Sequence, residues 1–183
     1  MRLIFKIITV LFFVIFSFEA GATHLIGSEM YYEDLGGGNY LITLKVYREC
    51  GPANTQQTDF DDIIYLGVFN SSTNQLQQVH DVFLNAGTIQ NVPIIMTNPC
   101  GSPPPGLCVE EATYTKTLTL GTNGGYDIAW QRCCRNPSIS NLANAGGTDN
   151  PGMTTTVHIP FNFEMNGSNS SPVFQEFPPV ALC

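Results

Sequence analysis

Asn39-Tyr40-Leu41-Ile42-Thr43-Leu44-Lys45-Val46-Tyr47-Arg48 decides the fold class. Side chains along a strand point alternately to its two faces, so Tyr40, Ile42, Leu44 and Val46 share one face. Thr43 and Lys45 sit on the other, beside Leu41 and Tyr47. The preceding Gly36-Gly37-Gly38 is a turn, which predicts a hairpin between residues 24–33 and 40–48. Outward from this pair, residues 63–69, 89–96, 109–120, 126–132 and 154–163 are rich in β-branched and aromatic side chains and read as further strands. Polar connections such as Asn70-Ser71-Ser72-Thr73-Asn74 and Gly121-Thr122-Asn123-Gly124-Gly125 separate them, and no helical period of apolar residues follows the first twenty-two positions. Short strands punctuated in this way predict an all-β fold, an Ig-like antiparallel β-sandwich, with a closed barrel as the alternative. Residues 138–152 are long, polar and rich in Asn, Ala and Gly, which predicts a surface loop.

The first residues place the chain outside the cytoplasm. Arg2 and Lys6 precede the apolar run 7–18, which ends near Ala20-Gly21-Ala22; this predicts a secretory signal peptide over residues 1–22, cleaved after Ala22. The run falls short of the roughly 20 apolar residues that a spanning helix needs, and no second span follows, so no transmembrane segment is expected in the mature chain. The sandwich is then assigned to residues 23–168, and 169–183 to a linker with the first strand of a following Ig-like repeat. Of 7 basic and 15 acidic residues, Arg2, Lys6 and Glu19 leave with the signal, which puts the mature chain at about −9. That balance excludes nucleic acid as a partner, since binding a phosphate backbone requires clusters of Lys and Arg.

All six cysteines, Cys50, Cys100, Cys108, Cys133, Cys134 and Cys183, lie beyond the signal, and an oxidising compartment makes them disulfide candidates. The turn-rich spacer 101–107 favours closing Cys100 to Cys108. Cys50 is then assigned to Cys133 or Cys134, and Cys183 to the other, because neighbouring strand residues point to opposite faces.

Other clusters carry two readings each. Asp59, Asp61 and Asp62, with Glu110 and Glu111 elsewhere, are candidate calcium ligands, but the glycine and distant Glu of an EF-hand loop are missing and a solvated strand entrance is preferred. Arg48, Arg132 and Arg135 flank the cysteines with Glu49 nearby, and ion pairing there is preferred to an anion site. His24, His80 and His158 show neither zinc nor dyad spacing. Tyr126, Ile128 and Trp130 share a strand face with Cys134 and read as core in preference to a sugar-stacking platform. Asn70, Asn166 and Asn169 head Asn-x-Ser triplets, taken as compositional. No nucleophile elbow, P-loop or Rossmann glycine pattern occurs, so no enzymatic activity and no cofactor are expected.

Five segments in order resemble the N-terminal region of large secreted surface proteins of gliding Bacteroidota, the gliding-motility-associated or PKD-repeat proteins. They are Ala22-Thr23-His24-Leu25-Ile26-Gly27-Ser28-Glu29, Leu44-Lys45-Val46-Tyr47-Arg48-Glu49-Cys50, Cys108-Val109-Glu110-Glu111-Ala112-Thr113-Tyr114, Trp130-Gln131-Arg132-Cys133-Cys134-Arg135-Asn136 and Asn169-Ser170-Ser171-Pro172-Val173-Phe174. Members of that group continue into repeats and a C-terminal sorting domain, so the resemblance implies the N-terminal piece of a longer surface protein. It implies adhesion or surface-structure assembly, with other surface proteins or extracellular polysaccharide as partners. A carbohydrate-binding sandwich is the rival expectation and a secreted glycoside hydrolase the third. Aromatic rings exposed on one sheet face would favour sugar, and a carboxylate pair in a pocket would favour hydrolysis.

Overall fold

The computed structural model describes residues 25–50, 59–85, 87–93, 105–121, 124–133, 151–161 and 169–172. Eight strands run through them: β1 (Leu25–Gly36), β2 (Asn39–Glu49), β3 (Ile63–Asn70), β4 (Leu76–Phe83), β5 (Gln90–Asn91), β6 (Val109–Thr119), β7 (Tyr126–Arg132) and β8 (Met153–Ile159). They form two four-stranded sheets, β1-β2-β6-β5 and β4-β3-β7-β8, in which every pairing is antiparallel. Lettered A to G, these orders are A-B-E-D and C′-C-F-G, the strand order of an immunoglobulin-like sandwich. No helix occurs among the described residues, and none there is long and apolar enough to cross a membrane.

The alternation in β2 produces the core. Tyr40, Ile42, Leu44 and Val46 are buried, as are Ala112, Tyr114 and Leu118 of β6 in the same sheet. Ile64, Leu66 and Val68 of β3, Ile128 and Trp130 of β7, and Val157 and Ile159 of β8 face them from the second sheet. Trp130 and Ile128 are thus core residues, with Tyr126 partly buried against them. Tyr32 and Tyr40 meet edge to face with ring centroids 5.9 Å apart, the arrangement that the ring quadrupoles favour. The β1–β2 hairpin turns on Gly36, Gly37 and Gly38, all at positive φ; a Cβ on Gly38 would stand 2.8 Å from the carbonyl oxygen of Leu120.

One disulfide departs from the expected pairing. Cys108 is bridged to Cys50, not to Cys100. The register pairs Glu49 with Val109, so the next positions outward on the two strands face each other, with Cα atoms 4.9 Å apart. Proximity in sequence lost to the register of the ladder. The bridge therefore joins adjacent strands of one sheet, where antibody domains join B to F across the sandwich. Cys133 is also in a disulfide. Cys100, Cys134, Cys183 and Arg135 lie outside the described residues, as do the predicted signal segment and residues 138–150 of the predicted loop.

The strand set differs in three places. β4 stands where no strand was expected, β5 is shorter than residues 89–96, and β8 stops at Ile159 because Pro160 has no N–H to donate. The start of the predicted linker lies along the free edge of β1. The Ser171 amide donates to the Tyr32 carbonyl at 3.0 Å, the Tyr32 amide to Ser171 Oγ at 2.8 Å, and the Asp34 amide to Ser170 Oγ at 3.0 Å. Such cover hides an edge that would otherwise recruit another strand.

Candidate binding face

β3 builds a second surface on the side away from the core. While Ile64, Leu66 and Val68 point inward, Ile63, Tyr65, Gly67 and Phe69 occupy the outward positions. Pairing places Phe83 beside Ile63, Asp81 beside Tyr65 and Val79 beside Gly67; a register shift after Val68 then brings Leu76 beside Phe69. On the other flank Ala129 stands beside Gly67 and Asp127 beside Phe69, followed by Thr156 and His158 of β8. Tyr65 is 61% exposed and Phe83 63%, with Val79, Leu76 and Ile63 also exposed. A contiguous apolar patch of this kind marks an interaction surface more often than an accident of composition.

The patch is not flat. Tyr65, Gly67, Phe69, Leu76, Val79, Ala129 and Gln131 line a groove of about 310 Å³. A Cβ at Gly67 would come within 2.8 Å of Phe69 Cε2, so the glycine is what lets that ring lie over the strand. Polar groups border the groove: Gln131 Nε2 donates to Thr154 Oγ1 at 3.1 Å, and His158 Nδ1 and Asp127 Oδ1 are 2.7 Å apart.

The outer face of the opposite sheet is polar. Lys45 lies 3.3 Å from Glu111 Oε1 and 3.8 Å from Glu29 Oε1, while the Tyr47 hydroxyl donates to Glu29 at 2.9 Å. Burial, then the hydrogen bond to Glu29, pushes the Tyr47 phenol well above its ordinary range. These two carboxylates share one ammonium. Glu111 is buried, with Gln90 Nε2 at 3.4 Å.

A third cluster closes the sandwich beside the disulfide. Arg48 binds Glu110 through Nε at 2.8 Å and Nη2 at 2.7 Å, and its guanidinium stacks 4.4 Å from the Phe60 ring centroid. Arg132 Nη2 is 2.9 Å from Asp61, though its Nε is buried with no hydrogen-bond partner among the described residues. Ion pairing thus engages both arginines. Of the three aspartates read as calcium candidates, Asp59 and Asp61 face these guanidinium groups, and no three His, Cys, Asp or Glu side chains converge among the described residues. Asp59 is wholly exposed, as a strand entrance would be. Glu110 and Glu111 neighbour in sequence but face opposite sides of their sheet, one toward Arg48 and the other toward Lys45.

Burial holds the Asp61 carboxyl above the usual carboxylate range, against the opposing pull of Arg132. A folded pKa above the unfolded one means that the native state holds its proton to higher pH. Asp61 therefore destabilises the fold progressively as pH rises from its unfolded value of 3.8. Chemical unfolding of wild type and Asp61→Asn between pH 3 and 7 checks this: the stability difference, wild type minus variant, is expected to fall as pH rises through the window above 3.8. A flat or rising difference would contradict it.

His80 pairs with Gln78, apart from His158, and His24 is outside the described residues. Asn70 Oδ1 accepts hydrogen bonds from Ser72 N, Thr73 N and Thr73 Oγ1, and Asn169 Nδ2 donates to the Tyr32 hydroxyl; Asn166 is not described. The apolar face itself was missed by the sequence reading. Its signal was present in Ile63-Ile64-Tyr65-Leu66-Gly67-Val68-Phe69, a run with no charged, amide or aliphatic hydroxyl side chain where a strand with one solvated face should alternate. Compared with known proteins, the chain matches no family model, no curated protein and no solved structure.

Proposed function

We propose that this chain is a secreted cell-surface binding module, of the gliding-motility-associated kind, that acts in adhesion or surface-structure assembly through the outer face of β4, β3 and β7. One observation carries the reading: Ile63, Tyr65, Leu76, Val79 and Phe83 are all exposed on a single sheet face. Leaving them in water forfeits about 25 cal/mol for every Å² of apolar surface that a partner would cover. The Cys50–Cys108 bridge suits an oxidising compartment outside the cell. Binding is preferred to catalysis because Glu29 and Glu111 are drawn to a common lysine, whereas glycoside hydrolysis needs two carboxyl groups facing a sugar across a cleft.

Beads coated with the exported chain, disulfides intact, should adhere to the surface of the producing cells above the level of albumin-coated beads. The double variant Tyr65→Ser/Phe83→Ser is expected to drop to the albumin level while its unfolding transition stays within about 1 °C, since both side chains stand mostly in solvent. Equal adhesion by the variant, or none by the wild type, would remove the basis for this reading.

A further inference from the structure

We infer that the groove on this face is a binding site for a neutral polysaccharide; the inference rests on the binding role just proposed and names its ligand class. The shape comes from the register. Val79, Gly67, Ala129 and Thr156 form one row across four strands, and its two central members are the smallest side chains available. Leu76, Phe69 and Asp127 form the next row on one side, and Tyr65 with Asp81 stands on the other. Tyr65 and Phe69 are four residues apart on one strand, roughly 13 Å between Cα atoms. The sheet face thus carries a trough running across the strands between Tyr65 and Phe69, floored by Ala129 and by the Phe69 ring where it lies over Gly67.

The chemistry selects the occupant. A pyranose presents apolar C–H faces, which stack on aromatic rings, and hydroxyl groups at its rim, which require donors and acceptors. Tyr65 and Phe69 supply the rings; Gln131, Asp81, Thr154 and the Asp127–His158 pair supply rim partners. Charge narrows the class further. No Lys or Arg occupies an outward position on β3, β4, β7 or β8, and the chain has a formal net charge of −8. Uronic acids, sulfated sugars and phosphodiesters are recognised through Arg and Lys, so this face repels them and accepts an uncharged chain.

Native electrophoresis of the full exported chain through gels containing hydroxyethylcellulose, xylan, galactomannan, laminarin or the polyanion alginate tests the assignment. Retardation is expected in at least one of the four neutral gels and not in alginate. Tyr65→Ala should weaken it by roughly tenfold, the scale of losing one aromatic anchor, and Gln131→Ala by less. Both variants should keep the wild-type unfolding midpoint, because neither side chain is in the core. Migration unchanged in all four neutral gels, or retardation in alginate alone, overturns the glycan assignment. If bead adhesion nevertheless persists and depends on Tyr65 and Phe83, the contact is with protein and the adhesive role stands; self-association abolished by Tyr65→Ala would identify a second copy. Neutral-glycan retardation without bead adhesion leaves the groove assigned and sinks the adhesive role.

Discussion

Replacing Cys50 and Cys108 together by alanine is expected to lower the unfolding free energy by roughly 4 kcal/mol, read by urea unfolding under non-reducing conditions so that the bridge of Cys133 stays closed. The two cysteines are 58 residues apart in sequence, so the bridge removes a large loop from the unfolded ensemble. In the folded state the ends are already adjacent: the Cys50 amide donates to the Cys108 carbonyl at 3.0 Å. Most of the effect therefore lies in the unfolded chain. The accompanying fall in Tm should be about 10 °C for a domain of this size. A loss under about 1 kcal/mol would mean that the unfolded chain already keeps β2 and β6 together without the bridge.

The second large effect sits two residues away. Arg48→Met is expected to cost about 3 kcal/mol, because it leaves Glu110 facing the sandwich end without its guanidinium partner. Arg48 is 9% exposed and makes two short charge-assisted bonds to one carboxylate oxygen. Its approach to Asp59, at 3.8 Å on a fully exposed carboxylate, contributes little by comparison. The methionine keeps apolar contact with Phe60, so the loss reports charge more than packing. Arg48→Met/Glu110→Leu should recover most of it, since an apolar pair of similar volume removes the stranded charge. A single variant within 1 kcal/mol of wild type, or a double variant no better than the single, would show that the pair does not hold this end closed. Effects of the pair and of the disulfide are not expected to add, because both tie β2 to β6 over the same few residues.

Legibility in the sequence followed how local each feature is. β2 announced itself because strand alternation is imposed by the backbone over neighbouring residues, and the glycine turn before it needs only its own positive φ values. β4 did not. As an edge strand it pairs on one side, and of Leu76–Phe83 only Val82 is buried, so Gln77, Gln78, His80 and Asp81 obscured any pattern. The ion pairs of Arg48 and Arg132 were anticipated as a type of interaction, but their partners were not, since Glu110 arrives on β6 and Asp61 on the segment leading into β3. The apolar face was missed for a related reason: a run apolar on both faces reads equally as a buried strand, and burial of the outward face depends on what else packs there.

From the amino-acid order alone came the all-β class, the strand-rich sandwich, the β1–β2 hairpin and a core drawn from one face of β2, because each rests on a period of two residues or on a turn. The Cys50–Cys108 pairing, the two-sheet order and the aromatic groove between Tyr65 and Phe69 required the tertiary structure. Each depends on which strand lies beside which and in what register, and a one-residue slip would send every side chain to the opposite face. Register is settled by the packing of the whole sandwich, where long-range pairs such as Glu49 with Val109 and Gly67 with Ala129 meet only after the chain has crossed between sheets.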